Sequence, residues 1–172
     1  MEKLFAVVVG GYPPGAHVEV HDVRFAIGTG IAEIFPLLKA AWWGGDDRFH
    51  VDAWGELTWC DGHDIVIGDG PEPDGADASA RLWYVQLGGY DPAVFGELHR
   101  DVFVVAPSQA EAKSRALSQA KGWAQPHRDT LTGIEAAVDV GHAIGRTRRI
   151  HLVPGAEPKP FRFEARYLPR PP

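Results

Sequence analysis

The sequence predicts an α+β protein built as a tandem duplication of a ββαββ unit, with mostly antiparallel sheet and a pseudo-two-fold relation between the copies. Three observations carry this prediction. Residues 4–27 align without a gap on residues 82–105 at an offset of 78, and nine of those 24 positions are identical, among them Gly10/Gly88, Gly11/Gly89, Tyr12/Tyr90, Glu19/Glu97 and His21/His99. Chance gives roughly one or two identities over such a stretch, and a single repeat of this length means two equivalent units. Each copy also opens with two extended apolar segments and continues with one helical segment. Runs of period two followed by a run of period 3.6 and further period-two segments read as ββαββ.

The elements follow in order. Residues 4–9 are a β-branched run that ends at Gly10-Gly11, and the Tyr-Pro-Pro-Gly run after it turns the chain. Residues 17–27 alternate as a second strand. A helix is expected near 31–43 and near 109–121. In the second copy Ser108 and Glu111 form a capping box after Pro107; in the first, Thr29-Gly30 is a weaker start, and Pro36 shifts or kinks the helix. Third strands are expected at about 50–59 and 128–138, and short fourth strands at 64–67 and 149–153. The later matches between the copies (His50-Val-Asp52 on His127-Arg-Asp129, Asp61 on Asp139, Gly62-His63 on Gly141-His142) need small gaps. The expected organisation is a first unit at 1–67, a Gly/Pro/Asp linker at 68–81, a second unit at 82–154 and a tail at 155–172. In that tail Phe161, Phe163, Ala165 and Tyr167 alternate with Arg162, Glu164 and Arg166, which reads as one more strand.

Composition removes several classes of function. Six Trp and eight Phe argue against a disordered chain. A net charge of −6 gives no overall nucleic-acid footprint. Seven basic residues do gather near the C-terminus (Arg146, Arg148, Arg149, Lys159, Arg162, Arg166 and Arg170). Such a cluster more often pairs with acidic surface of its own chain than with RNA, so a nucleic-acid partner is disfavoured. Cys60 is the only cysteine, which excludes an intramolecular disulfide, fits a reducing cytoplasm and reads as a small buried residue. The first apolar run is too short for a secretory leader or a membrane span.

Side chains two apart on a strand share a face. Glu19 and His21 then share one with Val23, Phe25 and Ile27, and His50 and Asp52 share one with Trp54. In the second copy Glu97 and His99 lie with Phe103 and Val105, and His127 and Asp129 with Leu131. A carboxylate and an imidazole at the end of an apolar face need partners, because burying them unpaired costs several kcal/mol. Two imidazoles and two carboxylates on neighbouring strands can hold a divalent metal such as Zn, Fe, Mn or Ni, so Glu19, His21, His50, Asp52, Glu97, His99, His127 and Asp129 are the candidate ligands. The first four are also the candidate catalytic residues, with or without a metal. A purely structural hydrogen-bond network is the alternative, and the sequence leaves open whether the protein is an enzyme. Gly10-Gly11 lies in no GxGxxG or P-loop pattern and reads as a tight turn or bulge. Of Trp42-Trp43, one ring is expected in the core and the other at an interface. Edge strands in sheets this small leave room for a homodimer.

The residues Lys3-Leu-Phe-Ala, Gly10-Gly11, Glu19-Val-His21-Asp22, Trp42-Trp-Gly44, His50-Val-Asp52-Ala and Asp61-Gly62 resemble a small bacterial family of uncharacterised proteins that carry one or two copies of a domain of unknown function. The resemblance implies the duplicated architecture and brings no activity, cofactor or catalytic residue with it. The second copy departs from the pattern at Arg100, in the place of Asp22, and lacks the Trp-Trp-Gly run.

Overall fold

A computed structural model describes residues 1–45, 48–119, 136–145, 148–155 and 157–171. It is a mixed α+β structure with antiparallel sheets and few helices. The first half holds β1 (Lys3–Gly11), β2 (Val20–Gly28), α1 (Ile31–Ala41), β3 (His50–Glu56), β4 (Trp59–Cys60) and β5 (His63–Gly68). The second holds β6 (Arg81–Tyr90), β7 (Glu97–Ala106), α2 (Gln109–Gln119), β8 (Ala137–Asp139), the one-turn α3 (Val140–Ala143) and β9 (Arg149–Pro154), and β10 (Arg162–Leu168) ends the order. The described residues form three sheets, ordered β10-β3-β1-β2, β7-β6-β8 and β4-β5-β9.

Alternation along β1 and β6 decides the layering. Phe5, Val7 and Val9 pack under α1 against Ile34, Phe35 and Leu38, whereas Leu4 and Ala6 join a different cluster. Trp83, Val85 and Leu87 likewise pack with Ala112 and Ala116 of α2, whereas Leu82 and Tyr84 join the cluster of Leu4 and Ala6. The inner faces of the β10-β3-β1-β2 and β7-β6-β8 sheets therefore meet in a shared core, and each outer face carries a helix. Phe25, Tyr84 and Phe103 bind the sheets together with ring centroids 5.6, 6.3 and 5.7 Å apart. Each such aromatic pair adds about 0.5–1.5 kcal/mol beyond area burial.

The β1–β2 register (Leu4 opposite Ile27, Gly10 opposite His21) and the β6–β7 register (Leu82 opposite Val105, Gly88 opposite His99) differ by a constant 78 residues. Strands β5 and β9 pair with each other, Ile65 opposite Leu152. The third strands depart from the sequence alignment. Phe5 faces Glu56, and Trp83, 78 positions on, faces Asp139, an offset of 83. Asp139 thus stands where Glu56 does, not where Asp61 does, and its ion pair with Arg81 (3.0 Å) answers that of Glu56 with Lys3 (2.6 Å). Gly141-His142 lies in α3, capped by the Asp139 carboxylate, whereas Gly62-His63 closes a turn between strands.

Other boundaries shift for local reasons. The chain turns at Pro13-Pro14-Gly15, with Gly15 at a φ of 88°, so β2 starts at Val20 and Glu19 lies just ahead of it. The third strand stops at Glu56; Trp59–Cys60 is a separate short strand, reversed onto β5 through Asp61 (φ 45°) and Gly62 (φ 81°). Helix α1 continues through Pro36. Its start is held by Glu33, whose carboxylate accepts the Thr29 N–H at 2.7 Å and hydroxyl at 2.6 Å and is thereby pulled below the usual carboxylate range. At α2 only one arm of the expected capping box forms: Ser108 Oγ accepts the Glu111 N–H at 3.3 Å, while the Glu111 carboxylate turns to Arg115. Among the described residues no helix is long and apolar enough to cross a membrane.

Candidate functional site

Gly10 sits on the central strand β1, opposite His21 on β2 and His50 on β3. The three positions form one row across the sheet, on the face that looks toward the second half. Gly10 has no side chain, and both imidazoles lean into the space it leaves. A Cβ there would lie 2.6 Å from His50 Nε2, 2.9 Å from Asp52 Oδ2 and 3.0 Å from His21 Cδ2. Gly11, on the opposite face, leaves room for the Trp42 ring at 3.1 Å. The glycine pair is therefore neither a turn nor a bulge. It is two strand positions on which a polar cluster and a buried ring press from opposite sides.

Asp52 reaches the row through an irregularity. Val8 pairs with Ala53 and Val9 with Val51, so Asp52 is an extra residue on β3 with no partner on β1. Bulges of this kind re-aim a side chain. The Asp52 carboxylate lies 3.3 Å from both His21 Nε2 and His50 Nε2. The same bulge breaks the expected alternation: Trp54 joins Val7, Val9 and Val51 under α1 rather than sharing a face with His50.

Glu19 completes the cluster, with Oε1 at 2.7 Å from His50 Nε2 and Oε2 at 3.6 Å from His21 Nε2. One ligand atom from each of Glu19, His21 and His50 lies within 4.8 Å of the others. The burial is graded. His50 is 2% exposed, whereas the side chain of His21 is 49% exposed, so the cluster is anchored in the fold and open on one side. His50 Nδ1 lies 2.8 Å from the Arg48 carbonyl oxygen. A carbonyl only accepts, so Nδ1 carries the proton and Nε2 of the neutral ring presents a lone pair to the cluster. Although Glu19 Oε1 is close, His50 Nε2 makes no hydrogen bond of proper geometry there, and Asp52 Oδ2 has no donor either. Two buried acceptors facing each other call for a shared donor or cation between them: a bridging water, a proton or a metal ion. The Tyr167 ring from β10 covers His50 at 4.6 Å between centroids. The sequence did not single out Tyr167 or the Arg48 carbonyl. The glycine inside a strand pattern was the signal for the close approach, since an interior strand glycine marks one.

In the second half Glu97 and His99 meet in the same way, Oε2 to Nε2 at 3.7 Å, with the Glu97 carboxylate folded over Gly88. His127 and Asp129, and with them Leu131, lie outside the described residues.

A cleft of about 550 Å³ lies between the sheets beside the cluster. Its floor is the next same-face row, Val23, Val8 and Ala53, one step of roughly 6.6 Å along β1 from Gly10. Phe103, Phe161 and Phe163 form its aromatic wall. Tyr84, also in the lining, donates to Asp101 at 2.7 Å; burial and that carboxylate push its phenol well above the ordinary range. Cys60 is buried and its thiol is pushed up to about 12, chiefly by desolvation, so it is no nucleophile near neutrality. Part of the basic tail is neutralised within the chain: Arg148 by Glu2 (2.9 Å) and Asp69 (2.6 Å), and Lys159 by Asp64 (2.5 Å). Arg166 stacks over Trp54, and Arg146 lies outside the described residues.

Fold and site together define an α+β protein with an inward-facing His/carboxylate cluster at one end of an inter-sheet cleft. A family model, the Domain of Unknown Function DUF1543, matches residues 16–67, a stretch that holds Glu19, His21, His50 and Asp52. The crystal structure of the protein Il1583 from Idiomarina loihiensis is similar over 100% of both chains, with 26% sequence identity and a TM-score of 0.73. No curated protein matches the chain.

Proposed function

We propose that this protein acts on a small molecule at a divalent-metal site held by Glu19, His21 and His50, with Asp52 as the neighbouring carboxylate. The observation that carries the reading is the convergence of two imidazole Nε2 atoms and two carboxylates over Gly10, with the His50 lone pair fixed inward by the Arg48 carbonyl. Ligand atoms about 2.1 Å from a tetrahedral ion stand about 3.4 Å from one another. The separations of 3.3, 3.3 and 3.6 Å match that spacing, and the Glu19–His50 contact of 2.7 Å would open by about 0.7 Å on binding an ion.

A divalent ion at such a site supplies Lewis acidity and activates water near neutral pH. The chain's own part is to hold His50 rigidly from below and to leave the His21 side open to solvent. Asp52, within 3.3 Å of both imidazoles, is placed to take up a proton as general base. The cleft supports a small-molecule substrate with an apolar or aromatic body, since its Val8, Val23 and Ala53 floor lies one same-face step along the strands from the cluster.

The same reading treats the chain as a duplicated ββαββ unit at 1–67 and 82–154, joined by 68–81 and followed by the tail 155–172. Its support is the constant register offset of 78 in the first hairpins and the matching ion pairs Lys3–Glu56 and Arg81–Asp139. Glu97 over Gly88, with His99 3.7 Å from its carboxylate, then marks the corresponding corner of the second unit.

The test is titration of the metal-stripped full chain with Zn²⁺ or Co²⁺, read by calorimetry and by the visible Co²⁺ spectrum. One ion per chain is expected, lost in both His21→Ala and His50→Ala. Absence of uptake, or uptake that both substitutions leave unchanged, rejects the metal site in favour of a metal-free hydrogen-bond network.

A further inference from the structure

Strand β10 is the outermost strand of the four-stranded sheet, and among the described residues nothing pairs with its free edge. Every residue from Arg162 to Tyr167 is exposed, and Phe163 and Tyr167 are 64% and 61% exposed. Such an edge presents a row of unpaired N–H and C=O groups, which natural proteins guard or cover. Charged residues on this edge can serve as guards, yet their order does more than repel.

We propose that β10 is the surface through which two copies of this chain associate, by antiparallel pairing of β10 with β10 of a second copy about a two-fold axis through Ala165. Ala165 is the midpoint of Arg162–Leu168, so this register spans the whole strand, including the Arg166-Tyr167 stretch where the pairing of β10 with β3 shifts. Residues equidistant from the axis then oppose each other on a common face. Glu164 of each copy faces Arg166 of the other, and Phe163 faces Tyr167, each twice. Opposite charges and aromatic rings directly across an antiparallel pair are the favourable combinations. Moving the axis one residue either way sets Glu164 on Glu164 with Arg162 on Arg166, or Arg166 on Arg166. Moving it to Phe163 opposes Arg166 with Pro160 and leaves Tyr167 and Leu168 beyond the partner's strand. The interface is isologous and closed, so it joins two four-stranded sheets into one of eight with β2 at either end, and pairing through β10 does not itself propagate. It also settles Tyr167, whose ring covers His50, against a partner's Phe163.

The experiment uses light scattering on the full chain across the micromolar range, with a cysteine cross-link as the register probe. Wild type is expected at twice the chain mass of 18.8 kDa. Glu164→Arg sets arginine against Arg166 and is expected at the monomer mass; Glu164→Arg with Arg166→Glu restores the opposition and the dimer. Ala165→Cys places a thiol opposite its own copy, within disulfide reach on either type of antiparallel pair. It is expected to cross-link under mild oxidation, faster than Phe163→Cys, and buried Cys60 does not compete. A monomeric wild type, a dimer that Glu164→Arg leaves intact, a double variant that stays monomeric, or faster cross-linking through Phe163→Cys each overturns the proposal.

Discussion

Replacing Gly10 by alanine adds one methyl group at the point where the cluster converges. The new Cβ would sit 2.6 Å from His50 Nε2 and 2.9 Å from Asp52 Oδ2, distances that real Cβ contacts do not reach. His50 cannot swing aside cheaply. It is 2% exposed, its Nδ1 is held by the Arg48 carbonyl, and the Tyr167 ring lies against it. Overpacking of this kind costs about 1–3 kcal/mol. For a chain of this size each kcal/mol lowers the melting temperature by about 2–4 °C, so a loss of roughly 2–12 °C is expected. Gly88→Ala is the control. It stands in the same register on β6, but the atom nearest its new Cβ belongs to the Glu97 carboxylate, the far end of an exposed, flexible side chain that can rotate away. Its expected effect is within about 0.5 kcal/mol. The assays are differential scanning calorimetry of both variants and Co²⁺ titration, in which Gly10→Ala is expected to lose on the order of tenfold to a hundredfold in affinity. A Gly10→Ala protein that melts and binds Co²⁺ like wild type would refute the close approach and with it the convergence of the cluster.

Three further outcomes follow from the same packing. His21→Ala, at a half-exposed position, should change the metal-free melting temperature little, whereas His50→Ala opens a buried hole and strands the Arg48 carbonyl, costing about 2–4 kcal/mol; calorimetry on stripped protein separates the two. Trp42→Ala removes a ring wedged between Gly11 and Gly44 and should cost about 3–5 kcal/mol in denaturant unfolding. Cys60 should resist thiol reagents at pH 8 until the chain unfolds. Its raised thiol pKa means that above about pH 9 the unfolded chain loses this proton while the folded one keeps it, so stability falls with rising pH up to about 12, and Cys60→Ala should flatten that slope in pH-dependent melts.

Residues that act through local rules were legible before the fold was known. The β-branched run before Gly10 makes β1, the Ser108 cap starts α2, and the Phe/Arg alternation of the tail makes β10. Glu19 and His21 could be placed together because both flank one regular hairpin. What the pattern missed depends on contacts between distant segments. The bulge at Asp52 arises where β3 pairs with β1, and it turns Trp54 away from the face that period two assigns to it. Gly10 read as a turn because turns are the commoner use of paired glycines, although two neighbouring strands had to be in register before its missing side chain became a cavity for two imidazoles. The offset of 83 at Asp139, against 78 in the hairpins, has the same origin: alignment sees identities, whereas the sheet sees which residue can pair with Arg81 across β6. The cluster was therefore predictable as a set of residue types on adjoining strands. Its closeness was not, because that closeness comes from an absent side chain and an irregular strand, and neither leaves a periodic trace.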